Sequence, residues 1–154
     1  MTSLCCDVLK ALKGKTLVTA ESCTGGGIGA ALTAIPGSSA VYKGGIISYT
    51  NWVKENLLGV SREVLDSCGA VSAPVAKAMA EGARKALQAD VAVSVTGLAG
   101  PGGDDFGNPV GTVFIGYSDE AISLAKEYRI AGDREAVRNT AIREALALVL
   151  KYCK

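Results

Sequence analysis

The stretch DVAVSVTG, at residues 90–97, constrains the fold of this chain more than any other feature. Its side chains are mostly small, β-branched and apolar, and they lack the regular polar alternation of a strand that faces water on one side. Such a run is typical of a central strand that is covered on both faces. A strand of this kind needs a helix layer on each side, so the sequence predicts a layered α/β domain.

The rest of the chain alternates between strand-like and helix-like patterns. Helical spacing of apolar residues predicts helices over residues 3–13 and 28–35. Capping residues predict four further helices, which begin near Asn51, Ser61, Ser72 and Asp133. The remaining strands are predicted over residues 16–20, 40–50, 110–118 and 122–130.

The spacing of the predicted elements indicates the sheet type. The strands at 110–118 and 122–130 are so close in sequence that they should form an antiparallel hairpin, whereas strands joined through helices run parallel. The chain has 154 residues, which is about one domain, and it shows no linker or internal repeat. We therefore expect a single three-layer α/β/α domain over residues 1–154, with a mixed, mostly parallel sheet of about five strands.

Composition argues against several classes of partner. The 16 Lys and Arg residues nearly balance the 15 Asp and Glu residues and form no basic cluster, which argues against binding of nucleic acid. No apolar run approaches the ~20 residues of a membrane span. The five cysteines show no CxxC spacing and no signal peptide opens the chain, so we expect reduced thiols and a cytoplasmic location.

The chain contains no histidine. This absence excludes Ser-His-Asp triads, Cys-His dyads and histidine-ligated zinc sites, and it removes the commonest general base near neutral pH. If the protein is an enzyme, its proton carrier must be a lysine, tyrosine, aspartate, glutamate or cysteine.

Residues 16–27, TLVTAESCTGGG, suggest a nucleophile. Ser22 follows a buried strand at the expected start of a helix, where the N–H groups of Cys23, Thr24 and Gly25 can stabilise a negatively charged oxygen. The adjacent glycines would let a substrate approach the main chain. The same pattern also fits a structural role, in which Ser22 or Thr24 only caps the helix.

Lys54 is the candidate base for this serine. It lies just after a predicted strand and is flanked by the apolar residues Trp52, Val53, Leu57 and Leu58. Burial among such residues would lower the lysine pKa. Tyr49, at the end of the same strand, is a candidate to orient the amine. An ordinary exposed helix lysine is the alternative, and sequence spacing alone does not bring positions 54 and 22 together.

Six blocks of the chain resemble the CinA C-terminal domain family, whose enzymatically active members are nicotinamide-nucleotide amidases. They occur in family order from about Leu9 to Leu150: AESCTGGGIGAALTAIPGSS, GGIISYTNWVKENLLGV, GAVSAPVAKAMAEGA, ADVAVSVTGLAGPGG, NPVGTVFIGY and GDREAVR. The combination of ESCTGG with TGLAGPGG is far more specific than a lone glycine pattern.

The resemblance implies an amidohydrolase that converts nicotinamide mononucleotide to nicotinate mononucleotide and ammonia. The family serine falls on Ser22, its lysine on Lys54 and its tyrosine on Tyr49. The resemblance implies no cofactor and no metal. It implies a small-molecule nucleotide as the binding partner, and it is compatible with a homodimer or a higher homo-oligomer.

Two regions are candidates for binding the nucleotide. The glycine-rich loop that follows the central strand can offer donors to a ribose phosphate from Thr96, Gly97, Ala99 and Gly100. Its alternative is an ordinary turn. Arg134 and Arg138 lie one helical turn apart and can hold a phosphate, with Arg138 slightly favoured; their alternative is a pair of surface salt bridges. Asp104 and Asp105 are interpreted as a solvated loop tip and not as metal ligands.

Other functions remain open at this stage. Cys23 is an alternative nucleophile, because a thiol at a helix N-terminus can have a lowered pKa. The domain can also be a non-catalytic nucleotide-sensing or protein-binding module related to competence and DNA-damage proteins. A third interpretation is a phosphate binder that uses only the glycine loop.

Overall fold

The computed structural model of the protein describes residues 1–154 and contains five strands and six α-helices. The strands are β1 (Leu17–Glu21), β2 (Tyr42–Ile47), β3 (Val91–Gly97), β4 (Thr112–Ser118) and β5 (Ser123–Arg129). The helices are α1 (Thr2–Ala11), α2 (Gly27–Thr33), α3 (Asn51–Leu58), α4 (Arg62–Cys68), α5 (Ala73–Ala86) and α6 (Arg134–Tyr152).

The strands form one mixed sheet in the order β2-β1-β3-β4-β5. Strand β1 pairs in parallel with both β2 and β3, and β4 pairs antiparallel with β3 and β5. Four strands therefore run in one direction and β4 alone opposes them. The predicted mixed, mostly parallel sheet is confirmed, including the β4–β5 hairpin.

Helices cover both faces of this sheet. Helices α1, α2 and α6 share one apolar core with Val91, Val93 and Val95 of β3. Helices α3, α4 and α5 form a second core on the opposite face, against Val18 and Ala92. The prediction that β3 is buried on both sides is therefore correct. None of the helices combines the length and the apolarity needed to cross a membrane, and none of the five cysteines is in a disulfide.

Helix α2 starts within one residue of the span predicted over residues 28–35, but no helix starts at Ser22, where one was also expected. The helix begins at Gly27, so a turn separates it from Ser22. Gly25 and Gly26 have positive φ angles of 57° and 97°, a conformation that interrupts a right-handed helix and favours glycine. At Gly27 a Cβ atom would collide with the side chain of Ile142, so this glycine permits close packing of α2 on α6. Two of the three glycines are thus required by the backbone conformation of the turn, and the third by the contact between α2 and α6.

Two other boundaries shift by a few residues. The strand predicted over residues 40–50 is shorter, because a 3₁₀ turn occupies Ser38–Ala40 and β2 ends at Ile47. Thr50 and not Asn51 is the N-cap of α3, since its side-chain oxygen accepts a hydrogen bond from the N–H of Val53. Threonine is one of the preferred N-cap residues, although it ranks below serine, asparagine and aspartate.

Candidate active site

The carboxyl ends of the three parallel strands meet at one edge of the sheet and open into a cleft of about 290 Å³. Two backbone hydrogen bonds continue the sheet beyond the strand ends: Ser22 N–H donates to the Val95 carbonyl, and Ser48 N–H donates to the Glu21 carbonyl. The cleft is lined by Ser22, Cys23, Tyr49, Asn51, Lys54, Ala70, Val71, Thr96, Gly97, Leu98, Ala99, Gly100, Gly102 and Arg134.

Ser22 and Lys54 are in direct contact in this cleft. The Lys54 Nζ lies 2.9 Å from Ser22 Oγ, and it also donates a hydrogen bond of 2.6 Å to the carbonyl oxygen of Ser48. Lys54 is 1% exposed and Ser22 is 7% exposed. The fold therefore joins two residues that lie 32 positions apart in the sequence.

The surroundings of Lys54 shift its amine toward the neutral form. Burial lowers the pKa of its amine from 10.5 to about 8, and no carboxylate forms a salt bridge with it. A neutral amine has two N–H groups and one lone pair. It can donate to Ser48 and still accept the hydroxyl proton of Ser22, whereas the third N–H of an ammonium would have no protein acceptor here.

The source of this burial differs from the sequence expectation. Trp52 is 65% exposed and Leu57 is 52% exposed, so these flanking residues do not bury the amine. The Lys54 side chain instead reaches inward from α3 to the sheet edge, where Ser48 and Ser22 receive it. The helix face that carries Lys54 was not evident from its immediate neighbours.

The turn after β1 presents free main-chain donors beside Ser22. The N–H of Gly25 is used internally, because it donates to the Ser22 carbonyl over 3.0 Å. The N–H groups of Cys23 and Thr24 donate to no protein acceptor. Thr24 has no exposed surface and does not line the cleft, so the expected set of oxyanion donors, Cys23 to Gly25, is reduced to Cys23.

The side chains of this turn are held from within the protein. Thr24 is fully buried, and its hydroxyl donates to a carboxylate oxygen of Glu21 over 2.7 Å. The same buried carboxylate accepts hydrogen bonds from the N–H groups of Ile28 and Gly29 at the start of α2. The side chain that accepts the free N–H groups at the start of α2 is therefore the carboxylate of Glu21, and not the hydroxyl of Ser22.

Tyr49 and Arg134 form a pair at the rim of the cleft. The guanidinium of Arg134 donates to the Tyr49 hydroxyl over 3.3 Å and to the Gly100 carbonyl over 2.6 Å. Tyr49 is 59% exposed and makes no hydrogen bond with Lys54, contrary to the expectation that it orients the amine. The carbonyl of Ser48 occupies that position instead.

Arg138 lies outside the cleft. Its Nε donates to the Cys23 carbonyl over 3.0 Å, and one Nη donates to the Thr24 carbonyl over 3.2 Å. Of the two arginines considered for a phosphate, Arg134 is the one that lines the cleft, although Arg138 was slightly favoured from the sequence. Neither arginine forms a salt bridge with a protein carboxylate.

The glycine-rich loop forms one wall of the cleft. Gly97, Ala99 and Gly100 line this wall, and Thr96 also lines it while its hydroxyl donates to the Ala70 carbonyl. Asp104 organises the loop beyond it, because its carboxylate accepts the N–H groups of Phe106 and Asn108 and the side-chain amide of Asn108. No group of three or more Cys, Asp or Glu side chains is placed to hold a metal ion.

Sequence reasoning missed several residues of the site. The carbonyl of Ser48 has no sequence signal, since any residue supplies a carbonyl. Glu21 did have a sequence signal: it is a charged residue at the end of an apolar strand, and such a residue needs hydrogen-bond partners when it is buried. Five further residues line the cleft without having been predicted as site residues: Asn51, Ala70, Val71, Leu98 and Gly102.

Cys23 is a weaker nucleophile than its position suggests. Its side chain is 6% exposed, and burial raises the pKa of its thiol to about 11. The reactive thiolate is therefore scarce at neutral pH.

Comparisons with known proteins agree with this architecture. A family model described as the CinA C-terminal domain matches residues 2–153. A CinA-like protein from Parasynechococcus marenigrum is 51% identical over 135 residues, which is 86% of this chain and 32% of that protein. A putative competence-damage inducible protein from Acetivibrio thermocellus is 44% identical over 137 residues, 89% of this chain and 33% of that one. The chain thus spans about a third of the length of these relatives.

Solved structures match over nearly the whole chain. The competence damage-inducible protein A of Klebsiella pneumoniae has a TM-score of 0.95 and 37% identity, covering 98% of this chain and 95% of that one. The competence/damage inducible protein CihA of Agrobacterium tumefaciens has a TM-score of 0.94 and 40% identity, with coverages of 97% and 93%.

Proposed function

Because this chain belongs to the CinA C-terminal domain family, we propose that it is an amidohydrolase which converts nicotinamide mononucleotide to nicotinate mononucleotide and ammonia. One observation carries the proposal: the buried amine of Lys54 lies 2.9 Å from the hydroxyl of Ser22. In a chain without histidine, such a pair supplies the nucleophile and the base that acyl transfer requires.

The first half of the reaction forms an acyl-enzyme. Neutral Lys54 takes the hydroxyl proton of Ser22 as Oγ attacks the carboxamide carbon of the substrate. The negative charge that develops on the carboxamide oxygen is stabilised by the free N–H group of Cys23, which lines the cleft. The ammonium of Lys54 then returns a proton to the leaving nitrogen, the C–N bond breaks and ammonia departs.

The second half regenerates the enzyme. Lys54 takes a proton from water, and the resulting hydroxide attacks the ester carbon. The C–Oγ bond breaks, and the proton returns from Lys54 to Ser22. The sum is addition of one water to the amide, giving ammonia and the carboxylic acid, which loses its proton to ammonia or to solvent. The Ser48 carbonyl holds the amine in place in both halves.

The cleft suits a small anionic amide. Its volume of about 290 Å³ is near the lower end of the range for small-molecule sites. Arg134 brings a positive charge to the rim, where it can face the phosphate of a mononucleotide while the carboxamide reaches Ser22. Tyr49 offers an exposed aromatic ring on the same side.

Ammonia release from nicotinamide mononucleotide tests the proposal. We expect turnover by the wild-type protein and a loss of at least roughly 10³-fold in Ser22→Ala and Lys54→Met, because each removes one half of the dyad. A Cys23→Ala variant should keep most of the rate. Wild-type activity in folded Ser22→Ala would refute the assignment of Ser22 as the nucleophile. If alkylation of Cys23 abolishes activity and bound substrate prevents this loss, the nucleophile would instead be the thiol of Cys23.

A second candidate is a non-catalytic nucleotide-sensing or protein-binding module. It is favoured by the exposed apolar side chains of Ile47, Tyr49 and Trp52, which lie close together in sequence near the mouth of the cleft. In that case the wild-type protein would bind the nucleotide, or a protein partner, without releasing ammonia. Calorimetric titration beside the ammonia assay separates the two functions.

A further inference from the structure

Glu21 is a buried charged residue that the proposed reaction does not use. Its side chain is 2% exposed and does not line the cleft, so it cannot touch a substrate there. No lysine or arginine forms a salt bridge with it. Because a buried carboxylate is costly unless hydrogen bonds replace its lost hydration, its hydrogen-bond partners indicate what it does.

Four hydrogen bonds converge on this carboxylate. One oxygen accepts the Thr24 hydroxyl over 2.7 Å and the Ile28 N–H over 2.8 Å. The other oxygen accepts the Gly29 N–H over 3.1 Å and the Thr19 hydroxyl over 3.3 Å. Both oxygens are therefore used, and the side chain connects β1, the turn after β1 and the start of α2.

The turn that these hydrogen bonds span carries Ser22. It contains Gly25 and Gly26, whose positive φ angles suit glycine, and a glycine-rich segment holds a single conformation only weakly by itself. Main-chain hydrogen bonds close the turn locally, and Arg138 contacts two of its carbonyls from α6. Glu21 is the side chain that bonds the turn to the helix that follows it.

The dyad tolerates little movement of this turn. Ser22 Oγ must stay within hydrogen-bonding distance of Lys54 Nζ, which is 2.9 Å away and is held on its other side by the Ser48 carbonyl. The main chain of Glu21 supports the lysine side as well, since its carbonyl accepts the Ser48 N–H over 2.8 Å. A displacement of the serine by about 1 Å can cost roughly 10²-fold in rate.

We infer that Glu21 is a positioning residue whose carboxylate fixes the turn after β1 so that Ser22 stays in contact with Lys54. The inference rests on the proposed acyl transfer at Ser22. Glutamine has nearly the same size but only one acceptor oxygen. In either orientation its NH₂ group would oppose a main-chain N–H, that of Ile28 or that of Gly29.

Glu21→Gln and a matched control, Leu32→Ala, test this role. Leu32 is fully buried on α2, so its truncation weakens the packing of the same helix and removes no hydrogen bond of the turn. One readout is the rate at which a fluorophosphonate modifies Ser22, followed by intact-mass spectrometry. In that step Oγ bonds to phosphorus, fluoride leaves and the hydroxyl proton passes to Lys54. The other readout is kcat and KM for nicotinamide mononucleotide.

In folded Glu21→Gln we expect the modification rate and kcat to fall roughly 10²-fold. KM should stay within about twofold of the wild type, because Arg134 and the glycine-rich loop are unchanged. Leu32→Ala should lower the urea midpoint at least as much, yet keep both rates near wild-type values. A merely structural role would give the two folded variants the same rates.

The outcomes separate this inference from the proposed function. Wild-type rates in folded Glu21→Gln would overturn the inference even if the wild type releases ammonia, and so would an equal loss of rate in Leu32→Ala. Modification of Ser22 that depends on Glu21, without ammonia release, would support the inference and reject the nucleotide substrate. Absence of modification in the wild type would overturn it, because there would be no reactive serine to position.

Thr24→Val decides the matter if Glu21→Gln does not fold. It keeps the shape of a fully buried side chain and removes only one of the four hydrogen bonds. A reduced kcat at unchanged KM supports the inference, and wild-type rates overturn it.

Discussion

At the scale of single residues, the proposed reaction needs Lys54 to be buried, and the same burial costs stability. Its amine is removed from water without an opposing charge, so the folded protein binds its proton more weakly than the unfolded chain does. Two hydrogen bonds, to Ser22 and Ser48, replace part of the lost hydration. This balance has consequences for both activity and stability.

The rate should follow the neutral fraction of Lys54. Because its pKa is lowered to about 8, only about a tenth of the amine is neutral at pH 7. We expect kcat/KM to rise about tenfold from pH 7 to a plateau above pH 9, with one apparent pKa near 8. Initial rates from pH 6 to 10 measure this. A rising limb near pH 11 would instead indicate the thiol of Cys23.

The stability of the wild type should also rise with pH in this range. Between pH 8 and 10.5 the unfolded chain binds the Lys54 proton and the folded protein does not, so raising the pH favours the folded state. Lys54→Met lacks this dependence. From pH 7 to pH 10 the wild type should gain about 2 kcal/mol in its free energy of unfolding relative to Lys54→Met.

Urea unfolding of both proteins at several pH values checks this result. Lys54→Met should be at least as stable as the wild type at pH 7, because it removes a buried charge at the cost of two hydrogen bonds of about 1 kcal/mol each. A stability difference that stays constant from pH 7 to 10 would contradict burial as the cause of the shift.

At the scale of elements, the site depends on where α3 lies against its neighbours. Helix α3 ends at Leu58, whose carbonyl rests directly on Gly82 of α5. A Cβ atom at position 82 would collide with this carbonyl oxygen. A glycine in the interior of a helix is unfavourable by itself, so close helix packing is the physical reason for its presence.

Gly82→Ala should therefore disturb the site from a distance. We expect a loss of about 1–3 kcal/mol in the free energy of unfolding, because the main chain of α3 has to move. The shift would carry Lys54 away from Ser22 and reduce kcat by at least about tenfold. Urea unfolding and ammonia release measure the two effects.

Glu81→Ala is the matched control for this variant. It places alanine at the adjacent, exposed position of the same helix and should leave stability and rate near wild-type values. If Gly82→Ala is more stable than the wild type and fully active, the α3–α5 contact does not position the amine.

Most elements follow from local pattern. Apolar patterns together with capping residues predicted every strand and every α-helix, and errors arose where a turn competes with regular structure. The helix start expected just after Ser22 was wrong because Gly25 and Gly26 look compatible with a helix start until their positive φ angles are seen. The role of Glu21 was missed because its partners, Ile28 and Gly29, are defined only once α2 is in place.

At the scale of the whole molecule, the order and direction of the strands bring the residues of the cleft together. Strands β1, β2 and β3 run parallel, so their carboxyl ends share one edge, and each contributes to the same cleft. The mixed sheet leaves this edge open, because β4 begins there and runs away from it. This is the position where open α/β sheets commonly bind small ligands.

The charge of the whole protein favours small ligands over nucleic acid. The formal net charge is +1, and the sequence has no basic cluster. At physiological salt we expect no binding to duplex DNA at protein concentrations up to about 100 μM, because a protein without a basic cluster cannot displace the condensed counterions whose release drives binding. Fluorescence anisotropy with a labelled duplex measures this. Tight, salt-sensitive binding would favour a direct role on DNA.

The sequence by itself determined the local features of this protein. Period and composition predicted the layered fold, and the absence of histidine limited the base to a few residue types. The blocks around Ser22 and Lys54 suggested the pair through the family resemblance. These properties are readable because they depend on a residue and its near neighbours in the chain.

Only the tertiary structure decided which groups meet and in what state. It brought the amine of Lys54 into contact with the hydroxyl of Ser22, and it paired Tyr49 with Arg134. It also directed Arg138 to the carbonyls of the turn after β1. Desolvation and hydrogen-bond geometry set these outcomes, and both depend on atoms that come from distant parts of the chain. A pKa near 8 for Lys54 is therefore a property of the fold.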